Sequence, residues 1–113
     1  MKQPLDESKT KKSGGVTNED IDLGPVPEGL VWIIRHAAVE DETTAFTSVR
    51  IGIAQANDFR PLEEHVGGVA GELYTVPEPI YVPEGKFLRA RFVGTTSADK
   101  LALYVNGYQV GRQ

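Results

Sequence analysis

The feature that most constrains this chain is a four-residue turn sequence, Val-Pro-Glu-Gly, that occurs twice and leads each time into an apolar run. Val26–Gly29 precedes the run from Leu30 to Val39, and Val82–Gly85 precedes the run from Lys86 to Val93. Proline at the second position of a turn presets the angle φ, and glycine is favoured at the fourth. Each copy therefore predicts a tight turn that feeds a strand. We expect the two copies to enter two sheets in similar ways.

The apolar runs have the composition and the two-residue period of strands. In residues 30–39 the β-branched residues cluster and no helix cap precedes them, which favours one long strand over a helix. Alternation of apolar and polar residues predicts three further strands, at 49–53, 86–93 and 101–105. Asn106-Gly107 is the preferred sequence of a two-residue type I′ hairpin turn, so we expect Tyr108 to pair with Val105 and to lie in the core.

The segment between these strands is harder to interpret. Prolines at positions 77 and 79 restrict Leu73 to Val82 to an edge strand or an extended connection. Residues 55–72 have little period, and glycines exclude a helix there. Four apolar residues are expected to anchor short strands or an irregular loop in this segment: Leu62, Val66, Val69 and Leu73. Six to eight short strands with few helices predict an all-β fold, either an antiparallel β-sandwich or a barrel with jelly-roll-like connections.

Residues 1–25 predict a flexible N-terminal arm, and residues 26–113 a single sandwich domain. The first segment has neither a helical nor a strand period, and it offers little apolar area to offset the entropy lost on ordering. Two interpretations stay open. The arm is either a disordered tail or a segment that orders on a partner or a neighbouring subunit.

Composition excludes several classes of partner. The formal net charge is −4 and the pI is about 5.1, which gives no basic surface for nucleic acid. No apolar run approaches the roughly 20 residues that span a bilayer. The chain has no cysteine, which excludes a disulfide, a thiolate nucleophile and a cysteine zinc site and favours folding in the cytoplasm.

No residues form a recognisable catalytic, cofactor-binding or metal-binding set, so we expect no enzymatic activity. His36 lies in the most apolar strand, which favours a structural role. His65 follows two glutamates, and metal binding or acid–base catalysis stays open there as the less favoured alternative. No nucleophile elbow is present. The acidic loop at residues 40–42, with two threonines after it, could offer oxygens to Ca²⁺. A solvated loop explains it better, because neighbouring carboxylates point in different directions.

Four arginines within predicted strands are candidates for an interface: Arg35, Arg50, Arg89 and Arg91. Arginine on strands discourages edge-to-edge aggregation and is also enriched at interfaces, so a solvated face remains the alternative. Aromatic residues could form a platform that stacks on sugars, namely Trp32, Tyr74, Tyr81 and Tyr104. Core packing explains Trp32 better, because it lies in the central apolar run.

The second unit carries a resemblance. Residues 82–92, 94–101 and 104–107 give a proline-glycine turn, a strand with alternating arginines, a Gly-Thr and Ala-Asp turn, and a strand reaching Asn-Gly. This series resembles segments of small β-sandwich structural proteins of tailed bacteriophages, and residues 26–110 fit the outline. The resemblance implies a virion component made in the host cytoplasm, such as a capsid decoration, head-fibre or tail and connector protein. It implies no catalytic residues.

Two functions therefore follow as expectations. The first is a non-enzymatic virion structural protein that docks on phage capsid or tail subunits as a homo-oligomer, most simply a trimer, with its arm reaching a neighbour. The second is a carbohydrate-binding module whose exposed tyrosines form the platform. An enzyme is the third and least favoured possibility.

Overall fold

The computed structural model describes residues 2–111 of the chain, and every regular element in that range is a β-strand. In chain order the strands are β1 Lys2–Lys12, β2 Asn18–Leu23, β3 Leu30–Asp41, β4 Phe46–Gln55, β5 Asp58–Gly68, β6 Tyr74–Val76, β7 Ile80–Val82, β8 Phe87–Val93 and β9 Lys100–Gly111. The all-β prediction is confirmed.

The strands form two antiparallel sheets that pack as a sandwich. The first sheet has the order β1-β9-β3-β6, with β7 also paired to β3, and the second has the order β2-β8-β4-β5. Pairs are nested along the chain: β4 with β5, β3 with β6 and β7, β2 with β8, and β1 with β9. A long hairpin rolled up in this way has jelly-roll connectivity, which leaves β5 at an edge of its sheet.

The core lies between the sheets, where alternate side chains of each strand point inward. Fully buried members come from both sheets and include Ile21, Ile34, Val39, Val49, Ile51, Val82, Leu88, Phe92, Leu101 and Leu103. Phe46 joins the layers near one end, since its ring meets Phe92 edge-on at 5.3 Å and Tyr74 at 5.8 Å. The inward residues at the sequence-predicted strands are those that the alternation marks as apolar.

The two Val-Pro-Glu-Gly units form tight turns, as the sequence predicts, but each turn lies one residue later than expected. Proline is its first residue and glycine its third, with φ of 80° at Gly29 and 78° at Gly85. In each unit the residue after the glycine donates its N–H to the proline carbonyl, at 3.1 Å in the first and 3.2 Å in the second. The units lie side by side, because Val26 donates to the Lys86 carbonyl and Gly85 donates to the Val26 carbonyl, both at 2.9 Å. One unit leads into the first sheet and the other into the second, as expected.

The hairpin predicted at Asn106-Gly107 is wrong. Both residues lie inside the continuous strand β9, opposite a β-bulge in β3 where Arg35 is the extra, unpaired residue. A Cβ on Gly107 would overlap the Ile33 carbonyl oxygen, so glycine is required by the bulge and not by a turn. Tyr108 consequently faces outward and is half-buried, not a core residue.

The segment predicted as a flexible arm is part of the sandwich in the structure. β1 pairs along its whole length with β9, and β2 pairs with β8. Leu5, Ile21 and Leu23 are buried. β1 is ordered although it is polar, because alternate residues of the strand face inward at the margin of the sandwich. The aliphatic parts of its lysines cover apolar surface there, and their amines reach β2. These strands therefore belong with residues 26–111 in one unit.

The segment with little period contains one long strand, where the sequence left short strands and an irregular loop as the alternatives. β5 spans Asp58–Gly68 and pairs with β4 through a two-residue turn at Ala56-Asn57. A second bulge leaves Leu62 unpaired and shifts the register of β5 against β4 by one residue. The apolar residues before and after the bulge therefore do not follow a single two-residue alternation. The proline-flanked strands β6 and β7 form the opposite sheet's edge, which confirms the edge-strand prediction.

Candidate docking surfaces

One side of the sandwich exposes an apolar surface along β5 and the connection that follows it. We call Leu62, Val66, Val69 and Leu73 the β5 rim. About half or more of each of these side chains is exposed, and Val66 reaches 74%. The sequence predicted all four as anchors of local structure, and that prediction is wrong. Leu62 and Val66 lie on β5, which pairs only with β4 in the described part of the chain, and Val69 and Leu73 lie on the connection after it, so the rim borders a free sheet edge.

A shallow groove separates the β5 rim from the proline-rich connection between β6 and β7. Its volume is about 360 Å³, and its lining includes Leu62, Glu63 and residues 76–80. Only sparse polar contacts join the sheets on this side, such as the His65 ring nitrogen Nε2 with the Thr75 carbonyl at 3.2 Å. The rim and groove together form an apolar, open margin.

The opposite margin of the sandwich is closed. Lys9 and Lys11 face inward from β1 and donate to the carbonyls of Asp22 and Asp20 on β2, each at 3.0 Å. Lys11 also pairs with the buried Glu19 at 3.0 Å. Burial raises the pKa of Glu19, but hydrogen bonds from Lys11 and from the Gly14 N–H outweigh it, so the pKa lies below its usual value. The two margins therefore differ in chemistry, and only the β5 side offers apolar side chains.

A second apolar surface covers part of the outer face of the first sheet. The strand registers align Tyr81, Ile33 and Tyr108 in one row across β7, β3 and β9, with Val31 beside Val110 in the next row. We call these five residues the face patch. Tyr81 is 61% exposed and the other four are partly exposed. The patch lies near the Val-Pro-Glu-Gly end of the sheet and at a different place on the molecule from the β5 rim.

Three of the four arginines predicted as interface residues lie on one outer face, that of the second sheet. Arg89 donates to both carboxylate oxygens of Asp22, at 2.7 and 2.9 Å, and Arg91 donates likewise to Asp20, at 2.8 and 3.1 Å. Arg50 pairs with Glu64 on the exposed side of β5. The hydrogen bonds that Arg89 donates to Asp22 raise the pKa of Arg89, and those that Arg91 donates to Asp20 raise the pKa of Arg91.

These ion pairs hold the three arginines in contacts within the molecule. Phe59 adds cation–π contacts, because the guanidinium of Arg91 lies 4.9 Å and that of Arg89 5.8 Å from its ring centre. Arg35 is separate from the other three: it is exposed at the bulge of β3, on the outer face of the first sheet. The prediction that these four residues form an interface stays a prediction.

Of the aromatic residues predicted as a sugar platform, Tyr81 alone is strongly exposed. Tyr104 is half-buried and donates its hydroxyl to Glu40 at 2.7 Å, a bond that raises the pKa of Tyr104 to about 12. Tyr74 packs against Phe46 and accepts the Val69 N–H at 2.8 Å. Trp32 is buried and donates to Gln109 at 3.2 Å, which agrees with the core role expected for it.

The acidic residues 40–42 do not form the solvated loop that the sequence predicts, because Glu40 and Asp41 belong to β3. Asp41 is fully buried, whereas Glu42 is exposed and pairs with Lys100 at 3.3 Å. Thr44 links Asp41 to a second buried carboxylate, Asp99. Across the described residues no three histidine or carboxylate side chains converge to hold a metal ion. His36 lies exposed on the outer face, and His65 contacts Tyr74 and Thr75, so the two histidines are not brought together.

Comparison with known proteins gives no relatives for this chain. No protein-family model, no curated protein and no solved structure matches it. Over residues 2–111 there is no helix of the length and apolarity needed to cross a membrane.

Proposed function

We propose that this chain is a non-enzymatic structural protein of a tailed-bacteriophage virion, which assembles with copies of itself and docks on capsid or tail subunits. The observation that carries the proposal is the pair of exposed apolar surfaces, the β5 rim and the face patch. Exposed apolar surface rimmed by polar residues favours a role in protein association. The turn and strand pattern of residues 82–107 supplies the virion part of the proposal.

The occupant that we assign to the β5 rim is the face patch of a second copy. Two different surfaces on one molecule suit a head-to-tail contact, in which the rim of each copy meets the face of the next. Head-to-tail contacts close into rings when the rotation allows, and a trimer is the smallest such ring. Charge supports the match: Glu63 lies next to Leu62 in the lining of the groove at the rim, whereas Lys2 and Arg35 lie beside the face patch.

Fold and stability are consistent with this role without defining it. Jelly rolls occur among viral capsid proteins and also among lectins, so the fold by itself supports more than one function. A domain of this size buries only about two thirds of its unfolded surface, and a partner copy would add burial.

Carbohydrate binding is the second candidate, and the exposed ring of Tyr81 favours it. One exposed ring with Tyr108 two strands away is a short platform, and the Lys2 amine lies 4.3 Å from the centre of the Tyr108 ring. If this candidate is correct, Tyr81→Ala abolishes binding in a glycan screen while the solution mass of the protein is unchanged.

The virion part is tested on particles. Phage particles from the source that carries this gene are purified on a density gradient, and peptides of the chain are quantified by mass spectrometry against the major capsid protein. We expect a fixed ratio across the particle peak. Peptides of the chain found only in the soluble fractions would contradict the proposal.

A further inference from the structure

Four connections between the two sheets gather at the end of the sandwich away from the Val-Pro-Glu-Gly turns. They are residues 13–17, 42–45, 69–73 and 94–99. Main-chain hydrogen bonds tie them together: Ser13 donates to the Asp99 carbonyl at 2.8 Å, and Gly71 donates to the Asp41 carbonyl at 2.8 Å. Asp41 and Asp99 thus lie where the connections meet. We call these two residues the acid pair.

Each carboxylate of the acid pair is held by hydrogen bonds from neighbouring turns. Oδ1 of Asp41 accepts the N–H groups of Thr43 and Thr44, at 3.0 and 3.2 Å. Oδ2 of Asp99 accepts the Thr44 hydroxyl at 2.6 Å and the Thr96 N–H at 2.9 Å. Thr44 therefore contacts both members. The loop after β3 and the turn before β9 are joined through these two side chains.

One oxygen of the pair has no donor. Oδ2 of Asp41 is buried without a hydrogen-bond partner, and it is the one such side-chain atom among the residues that the structure describes. Thr44 bridges the two carboxylates, with its N–H on Asp41 and its hydroxyl on Asp99, so Asp99 is the neighbouring acid. Asp41 is 0% exposed and Asp99 is 1% exposed, so water does not screen the two groups from each other. A buried acceptor that faces a second acceptor requires a proton or a cation between them.

The charged groups around the pair do not supply that cation. Within residues 2–111 neither aspartate forms an ion pair. The flanking titratable groups are already engaged, Glu40 with the Tyr104 hydroxyl and Glu42 with Lys100. Oδ2 of Asp41 has almost no accessible surface, which leaves no room for a hydrated ion beside it. A proton fits this geometry.

We propose that Asp41 and Asp99 hold a single proton between them, donated from Oδ2 of Asp41 to the Asp99 carboxylate, and that this acid pair locks the four connections in mildly acidic solution and loosens them when the proton leaves. The step is a simple acid ionisation. The proton passes to solvent, and two buried like charges remain.

The direction of the pH effect follows from the pKa values. Burial, with the neighbouring Asp99, raises the pKa of Asp41 from 3.8 to about 6. The folded protein then binds more protons than the unfolded chain between these two values, so the free energy of unfolding falls as pH rises through about 6. Burial opposes ionisation of Asp99, but hydrogen bonds lower its pKa, so its contribution is lost only when pH falls below 3.8.

The test compares Asp41→Asn with the wild-type chain. An asparagine amide can donate where the protonated acid donates, and its oxygen can still accept from Thr43 and Thr44. We expect the melting temperature of the wild type to fall between about pH 5 and pH 7.5, and that of Asp41→Asn to stay level. Asp6→Asn, which removes an exposed carboxylate from β1, is the matched charge control and should follow the wild type.

Two further readouts make the proposal falsifiable. We expect hydrogen exchange of the Thr43, Thr44 and Thr96 amides to speed up above about pH 6 in the wild type, beyond the intrinsic pH dependence, and not in Asp41→Asn. The same pH-dependent fall in melting temperature in Asp41→Asn would overturn the proposal. So would a rise in wild-type melting temperature with CaCl₂ that Asp41→Asn removes, because a cation and not a proton would then occupy the acid pair.

Discussion

Two glycines in this sandwich are fixed by the strand beside them. Gly52 lies opposite the bulge of β5, and Gly107 lies opposite the bulge of β3. A Cβ at either position would overlap a main-chain carbonyl oxygen of the bulged strand. The hairpin prediction at Asn106-Gly107 is wrong for this reason. The pair has the composition of a turn, but glycine is needed there because the main chain of β3, which is distant in the sequence, leaves no space for a Cβ.

Gly107→Ala should destabilise the fold by about 2–3 kcal/mol, since main-chain atoms of β3 cannot move aside without breaking the ladder. Gly111→Ala is the matched control, because nothing lies within 4 Å of a Cβ there. Chemical unfolding of the two variants checks this. Equal stabilities would show that the bulge does not need a glycine opposite it.

The ion pairs on the second sheet should differ in what they contribute. Asp22→Asn weakens a two-bond contact to the buried Arg89, and we expect a loss of about 1.5–3 kcal/mol of unfolding free energy. Glu64→Gln removes the partner of the exposed Arg50, and we expect a change within about 1 kcal/mol. Urea unfolding of both variants decides the matter. A larger effect for Glu64→Gln would contradict the expectation that the more buried ion pair contributes more to the free energy of unfolding.

Among the strands, β1 is the one that is hardest to predict from the sequence. Its lysines give it the composition of a disordered tail, and its period is visible only once β9 and β2 are in place beside it. The strands β3, β8 and most of β9 were predictable because their alternation is local. β5 was not, because a bulge interrupts its alternation and its apolar residues face solvent.

The pairing of β1 predicts a specific exchange pattern. Main-chain amides of residues 2–12 that point to β9 should be protected from hydrogen exchange, while alternate amides at the free edge exchange fast. Hydrogen exchange followed by NMR resolves the two sets. Fast exchange of every amide in this segment would contradict the pairing of β1 with β9 and would support the flexible arm that the composition indicates.

At the scale of the whole molecule, the sequence predicted the layers but not the surfaces. Turn chemistry at the Val-Pro-Glu-Gly units and local alternation are enough for an all-β sandwich. The β5 rim depends on which margin of the sandwich remains open, and the face patch depends on registers across β7, β3 and β9. Neither is encoded locally. The arginines, which are visible in the sequence, lie instead in ion pairs within the molecule, apart from Arg35.

The contact between rim and face is tested by the solution mass, measured by light scattering, of two surface variants and of their mixture. Val66→Lys disrupts the β5 rim and Tyr81→Lys disrupts the face patch, both at exposed positions where the fold should tolerate lysine. Val16→Lys is the control, at a residue that is 57% exposed and outside both surfaces.

We expect a trimer for the wild type and for Val16→Lys, and monomers for each surface variant alone. An equimolar mixture of Val66→Lys and Tyr81→Lys should give a dimer, because the intact rim of one variant can still meet the intact face of the other. A monomeric wild type, or a mixture that stays monomeric while the wild type assembles, would contradict the rim-to-face contact.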